Sequence, residues 1–171
     1  GLRGTARGNV AWSAGAGNDW KLRGDLAATG LNIQLPSGQS IRQPNITAGV
    51  QAGGVWEGDT LAELNQLTAN LQGDGQRWDA TLLKPVRDPA GGSPLPLRIK
   101  GSGNAASLAE MMGPWLPSGV HSIEGNFDAD LTADVARDSG RVTAATVDLQ
   151  RPRGGWQSQV FTQPFLKSSV V

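Results

Sequence analysis

The chain has 171 residues, long enough to bury a core as one domain or as a domain and a half. Its 15 Lys and Arg balance 15 Asp and Glu, which excludes a strong net field drawing nucleic acid or an anionic membrane surface. A charged fraction of 18% is too low for a disordered tail, 24 glycines are too many for a helical bundle, and the lack of cysteine excludes disulfides and thiolate metal sites.

The first predicted element is a strand. Leu2, Gly4, Ala6, Gly8, Val10 and Trp12 alternate with Arg3, Thr5, Arg7, Asn9, Ala11 and Ser13. A second follows the AGAGND join (14–19), with Trp20, Leu22, Gly24, Leu26 and Ala28 on one face and Lys21, Arg23 and Asp25 on the other. Period two over such lengths predicts half-buried antiparallel strands with one apolar and one wet face. The stretch TLAELNQL (60–67) reads as strand, because Leu67, Ala69 and Leu71 keep the same period. Further on, Leu95, Leu97, Ile99 and Gly101 alternate with Pro96, Arg98, Lys100 and Ser102. The joins PSGQS (36–40), RDPAGGSP (87–94) and RDSG (137–140) carry turn chemistry.

One helix is predicted, near residues 105–113. Leu108, Met111 and Met112 share a face, Asn104 caps the start, Ser107 with Glu110 fits a capping box, and Gly113–Pro114 stops it. The longest strand pattern comes next: Ile123, Gly125, Phe127, Ala129, Leu131, Ala133 and Val135 against Glu124, Asn126, Asp128, Asp130, Thr132 and Asp134.

Residues 2–12 lie over 123–133 without a gap, 26–36 over 142–152, and 43–50 over 163–170. In the second pair the apolar phase jumps from Ala28 to Leu31 and from Ala144 to Val147, which is what a β-bulge does. The expected organisation is one β-repeat unit over 1–118, including the helix, and the first half of a similar unit over 119–171. The chain starts mid-pattern and ends on Val170–Val171 with no initiator Met or signal peptide, so it reads as a segment of a longer protein. No apolar run is long enough for a transmembrane helix.

The rhythm of LRGDLAATGLNIQLP (22–36), the QP entry to a following strand (43–46 and 163–166), and the strand that runs into a short helix ending in Leu-Pro (97–117) resemble the AsmA-like family of TamB-related repeating β-groove proteins. The resemblance implies a periplasmic protein of a Gram-negative-type cell envelope. It also implies a parent chain anchored in the membrane and a β-groove that carries phospholipid between membranes. The expected fold is therefore all-β: a long, twisted, mostly antiparallel sheet curled into a groove or half-barrel, with one short α-helix. The residues expected to face lipid are Leu2, Val10, Trp12, Leu22, Leu26, Leu97, Ile99, Ile123, Phe127 and Leu131. The expected partners are phospholipid and neighbouring repeats of the same longer chain.

A one-sided sheet can equally pack its apolar face into an ordinary closed core. That alternative describes a repeat module of a bacterial surface adhesin or structural scaffold. No catalytic constellation, cofactor motif or metal site is expected, and the chain is read as non-enzymatic. His121 is the sole histidine, and the row Glu124, Asp128, Asp130 and Asp134 reads as a solvated face without calcium-loop geometry. The tryptophans (Trp12, Trp20, Trp56, Trp78, Trp115 and Trp156) read mainly as core, with sugar stacking or a lipid interface as other uses. Asn45-Ile46-Thr47 matters as a glycosylation site only in a eukaryotic secretory pathway, and RPRGG (151–155) is too short to bind nucleic acid.

Overall fold

A computed structural model of the chain describes residues 2–34, 40–112, 120–156, 159–162 and 165–170. Trp115 and the Gly113–Pro114 helix stop lie outside them. So do the side chains of Leu2, Glu110, Met111, Met112, His121 and Trp156.

The described residues form one sheet. Its strands are β1 (Leu2–Ala14), β2 (Asp19–Gln34), β3 (Ser40–Glu57), β4 (Thr60–Gly73), β5 (Gln76–Leu82), β6 (Val86–Arg87), β7 (Leu95–Asn104), β8 (Val120–Val135), β9 (Gly140–Trp156), β10 (Gln159–Thr162) and β11 (Phe165–Val170). Consecutive strands pair antiparallel in the order β1-β2-β3-β4-β5-β7-β8-β9-β10, with β6 beside β4 and β11 beside β9. The sheet is not closed into a barrel: β1 forms one edge, and β10 and β11 lie at the other. The expected mostly antiparallel all-β fold is what forms. The stretch 60–67 is strand, as its period predicts.

The one α-helix among the described residues is α1 (Ala105–Met112), where the sequence placed it; a single 3-10 turn, Ala16–Asn18, joins β1 to β2. Its start is set by Asn104, whose Oδ1 accepts a 2.7 Å hydrogen bond from the Ala106 N–H, a backbone donor with no partner inside the helix.

Residues directly opposed across antiparallel strands share a face. The register therefore lines up rungs that cross the sheet. One runs Val10–Gly24–Val50–Ala69–Ala80–Ile99–Leu131–Ala145. The neighbouring rung on the opposite face runs Asn9–Asp25–Gly49–Asn70–Asp79–Lys100–Asp130–Thr146. The alternation read within single strands is thus summed, strand after strand, into one apolar face and one polar face.

Several bulges refine the register. Between β1 and β2 the pairing slips between Arg3 and Thr5, so that Gly4 stands opposite Gly30 and Leu31. That is where the sequence jumps from Ala28 to Leu31. In β9 the pairing runs unbroken through the expected Ala144–Val147, and a slip lies just before it. Ala133 pairs with Val142 and Thr132 with Ala144, which leaves Thr143 as the extra residue. Ala144 therefore faces the polar side, and Ala145, Val147 and Leu149 the apolar one. A methyl side chain fits either face, so alternation alone misplaced Ala144. A further slip sets Gly125 of β8 opposite Arg151 and Pro152 of β9.

The apolar face is covered at both ends of the strands. At one end Trp20, Ala52 and Leu64 are buried, with Leu22, Trp56, Leu61, Leu67, Leu82 and Leu95 packed around them. The Trp20 and Trp56 rings are 6.3 Å apart. At the other end α1 packs on β7 and β8 and reaches β3, and Ala28, Ala105 and Phe127 are buried.

Candidate apolar binding trough

Between those two covered ends the middle rungs of the apolar face stay open. They form a depression of about 640 Å³ that crosses the strands from β1 to β7. Val10, Leu26, Val50, Leu71, Trp78 and Ile99 supply its large side chains. Gly8, Gly24, Ala48, Ala69 and Ala80 keep its floor low. Leu26 and Leu71 are 45% and 43% exposed, and Val10 75%. Apolar side chains exposed in one contiguous patch, with none of the described residues above them, mark a surface that gains by covering itself.

The structure distributes the sequence-nominated residues over this face. Val10, Leu26 and Ile99 line the depression. Leu131 opposes Ile99 on the same rung. Leu22 and Leu97 are half-buried on the rung bordering the Trp20 cluster, and Trp12, which pairs with Leu22 at the β1 edge, is 61% exposed. Ile123 is half-buried opposite Gly154. Leu2 is described through its backbone alone, paired with Ile33. Phe127 does not line the depression: it is 2% exposed, with its ring 5.6 Å from that of Trp78.

The nomination missed Val50, Leu71 and Trp78. The signal for Val50 and Leu71 was present, because Ala48–Val50 and Ala69–Leu71 hold period two. Trp78 carries the same mark, since Trp78, Ala80 and Leu82 alternate with Arg77, Asp79 and Thr81. Its place comes from its cross-strand partner, Gly101.

The polar face carries the charges. The Arg98 guanidinium grips Asp130 through two hydrogen bonds, Nε to Oδ1 at 2.9 Å and Nη2 to Oδ2 at 2.6 Å. Gln150 Nε2 donates to Asp128 at 3.3 Å, and Lys167 Nζ lies 3.6 Å from Asp148. Part of the acidic row is therefore cross-strand paired rather than simply solvated. Among the described residues no group of three or more His, Asp or Glu is placed to hold a metal ion. No described helix is long and apolar enough to cross a membrane.

The hydrogen bonds from Arg98 hold the Asp130 carboxyl below its ordinary range, and the guanidinium charge acts in the same direction. A carboxylate whose folded value is depressed stabilises the fold above its unfolded value and loses that contribution as pH falls through the folded one. Asp130→Asn is accordingly expected to lower the urea midpoint slightly at neutral pH. The difference from wild type should close on acidification below the ordinary carboxylate range. A gap that stays constant to the lowest pH would assign the effect to packing instead of the ion pair.

No family model, curated protein or solved structure matches this chain.

Proposed function

We propose that this chain is a non-enzymatic segment of an AsmA-like protein of the bacterial cell envelope, acting in the periplasm, and that its trough holds the acyl chains of phospholipid in transit between membranes. The observation that carries the reading is the open centre of a continuous apolar face, between one end covered by the Trp20 cluster and another covered by α1. Each methylene moved from water into such a trough is worth about 0.8 kcal/mol, so an acyl chain gains several kcal/mol without any polar contact.

The direction of the trough supports transport rather than storage. It crosses the strands, so it runs along the axis in which a sheet grows by adding strands. The Gly4 bulge of β1 and β2 recurs 121 residues later in β8 and β9, which supports a repeat unit over 1–118 and a second begun at 119; on this proposal its neighbours are further units of a longer, membrane-anchored parent. The adhesin or scaffold reading requires protein to fill the apolar face, and the exposure of Val10, Leu26 and Leu71 weighs against it.

The test is native mass spectrometry with lipid extraction on the chain purified from a bacterial host. Wild type should carry phospholipid, and the Leu26→Asp/Leu71→Asp double variant should lose it while keeping its circular dichroism, since both side chains are already exposed. A lipid-free, cooperatively melting wild type would overturn the proposal, as would a folded double variant that retains its lipid.

A further inference from the structure

The depression ends abruptly in the middle of the sheet. Among the described residues its lining reaches Ile99 on β7 and Trp78 on β5 and includes nothing from β8 or β9. Yet the rung through Leu71 and Trp78 continues as Gly101–Ala129–Val147, three small or medium residues that leave the apolar face low. What closes the entry to that path is the indole of Trp78, which fills the space above Gly101. Its benzo ring lies directly over Gly101, so close that a Cβ on residue 101 would collide with it. The indole reaches on to meet Phe127 of β8 at a tilt of 35°. Its Nε1–H points to Gln76 Oε1 at 3.4 Å, and Gln76 is itself buried, which fixes the ring plane.

We infer that Trp78 is the residue that sets the length of apolar ligand the trough accepts. The inference rests on the lipid-holding reading above. From β1 to β7 the trough crosses six strands, roughly 24 Å at the usual strand spacing. With the indole in place, a chain lying in it stops at Gly101. Without the indole, the low path over Gly101 and Ala129 to Val147 adds two strands, about 10 Å. Trp78 thus limits length by occupying the track, and Gly101 is the vacancy that lets it lie flat.

The two residues can be moved in opposite directions, which a general loss of stability cannot mimic. Saturated fatty acids of increasing chain length would displace a fluorescent naphthylamine probe from the intact, delipidated chain. For wild type, affinity should rise about fourfold per methylene and then level off once the chain reaches Trp78. In Trp78→Ala the levelling should move to longer chains. In Gly101→Ala, whose methyl lifts the indole into the trough, it should move to shorter ones. Should Trp78→Ala lose its near-ultraviolet dichroism, Trp78→Leu, too narrow to cover Gly101 but still apolar beside Phe127, reads the same shift. An unmoved break point in folded variants overturns the role of Trp78 and leaves the trough standing. No displacement by any acid from wild type overturns the trough and this inference with it.

Discussion

Phe127→Ala should lower the unfolding free energy by about 3–5 kcal/mol, read from urea midpoints at constant slope. Phe127 is the largest fully buried side chain among the described residues. It stands opposite Gly103 on β7 and Leu149 on β9, at the end of the sheet where α1 packs, and its ring meets Trp78. Truncation removes the ring's transfer energy and leaves a cavity that a sheet held by its register closes poorly. A loss below about 1 kcal/mol would mean that this end of the sheet collapses freely and that α1 is not anchored there. The same burial changes what a charge at this position reports. Phe127→Asp would test folding before it tested any ligand, because an ionised carboxylate would have to enter a dry site. Leu26 and Leu71, already half in solvent, are the positions at which a charge interrogates the trough alone.

The contrast between Phe127 and Leu26 shows what alternation can and cannot convey. Both sit on the apolar face, and period two assigns that face in nearly every strand. Face is a property of parity within one strand, and parity is written in the sequence. Whether a residue on that face is covered depends on what crosses above it, and here that is α1 at one end and the Trp20 cluster at the other. Both coverings are set by the register between strands, which parity within one strand does not record. Trp78 makes the same point: its position over Gly101 follows from a β5–β7 pairing that no local pattern specifies. Small residues blur even parity: Ala144 fits either face, so alternation does not reveal that the β9 bulge lies at Thr143. The helix and its Asn104 cap were legible because capping is local, acting within two residues. The ion pair of Arg98 with Asp130 was not, because it joins strands whose partners only the register names.

Gly125→Ala should cost roughly 2–4 kcal/mol, a large loss for one methyl group on a strand. Gly125 has φ +116°, a backbone conformation that side chains disfavour. A Cβ there would sit 2.7 Å from the Gln150 carbonyl oxygen and 3.0 Å from that of Arg151. Both are backbone atoms held by the β8–β9 ladder, so neither can swing aside as a side chain would. Gly4, at the matching place in the β1–β2 bulge, has φ +139°, and its nearest backbone atoms lie at 3.1 Å. Gly4→Ala should therefore lose less, because a few tenths of an ångström of relaxation relieve it and β1 is an edge strand free to give. The bulged strands offer the converse test. Gly30 has φ +62°, and Arg151, its counterpart 121 residues on, has φ +49° with a full side chain. Arg151→Gly relieves that strain while loosening the unfolded chain, and should land within about 1 kcal/mol of wild type. Urea melts of the three variants would rank them Gly125→Ala, Gly4→Ala, Arg151→Gly in order of decreasing loss. Equal losses at Gly4 and Gly125 would place the cost in φ alone. A mild Gly125→Ala would mean that the bulge re-registers, and the bend it puts into the sheet would then be a preference of the chain and not a constraint on the trough.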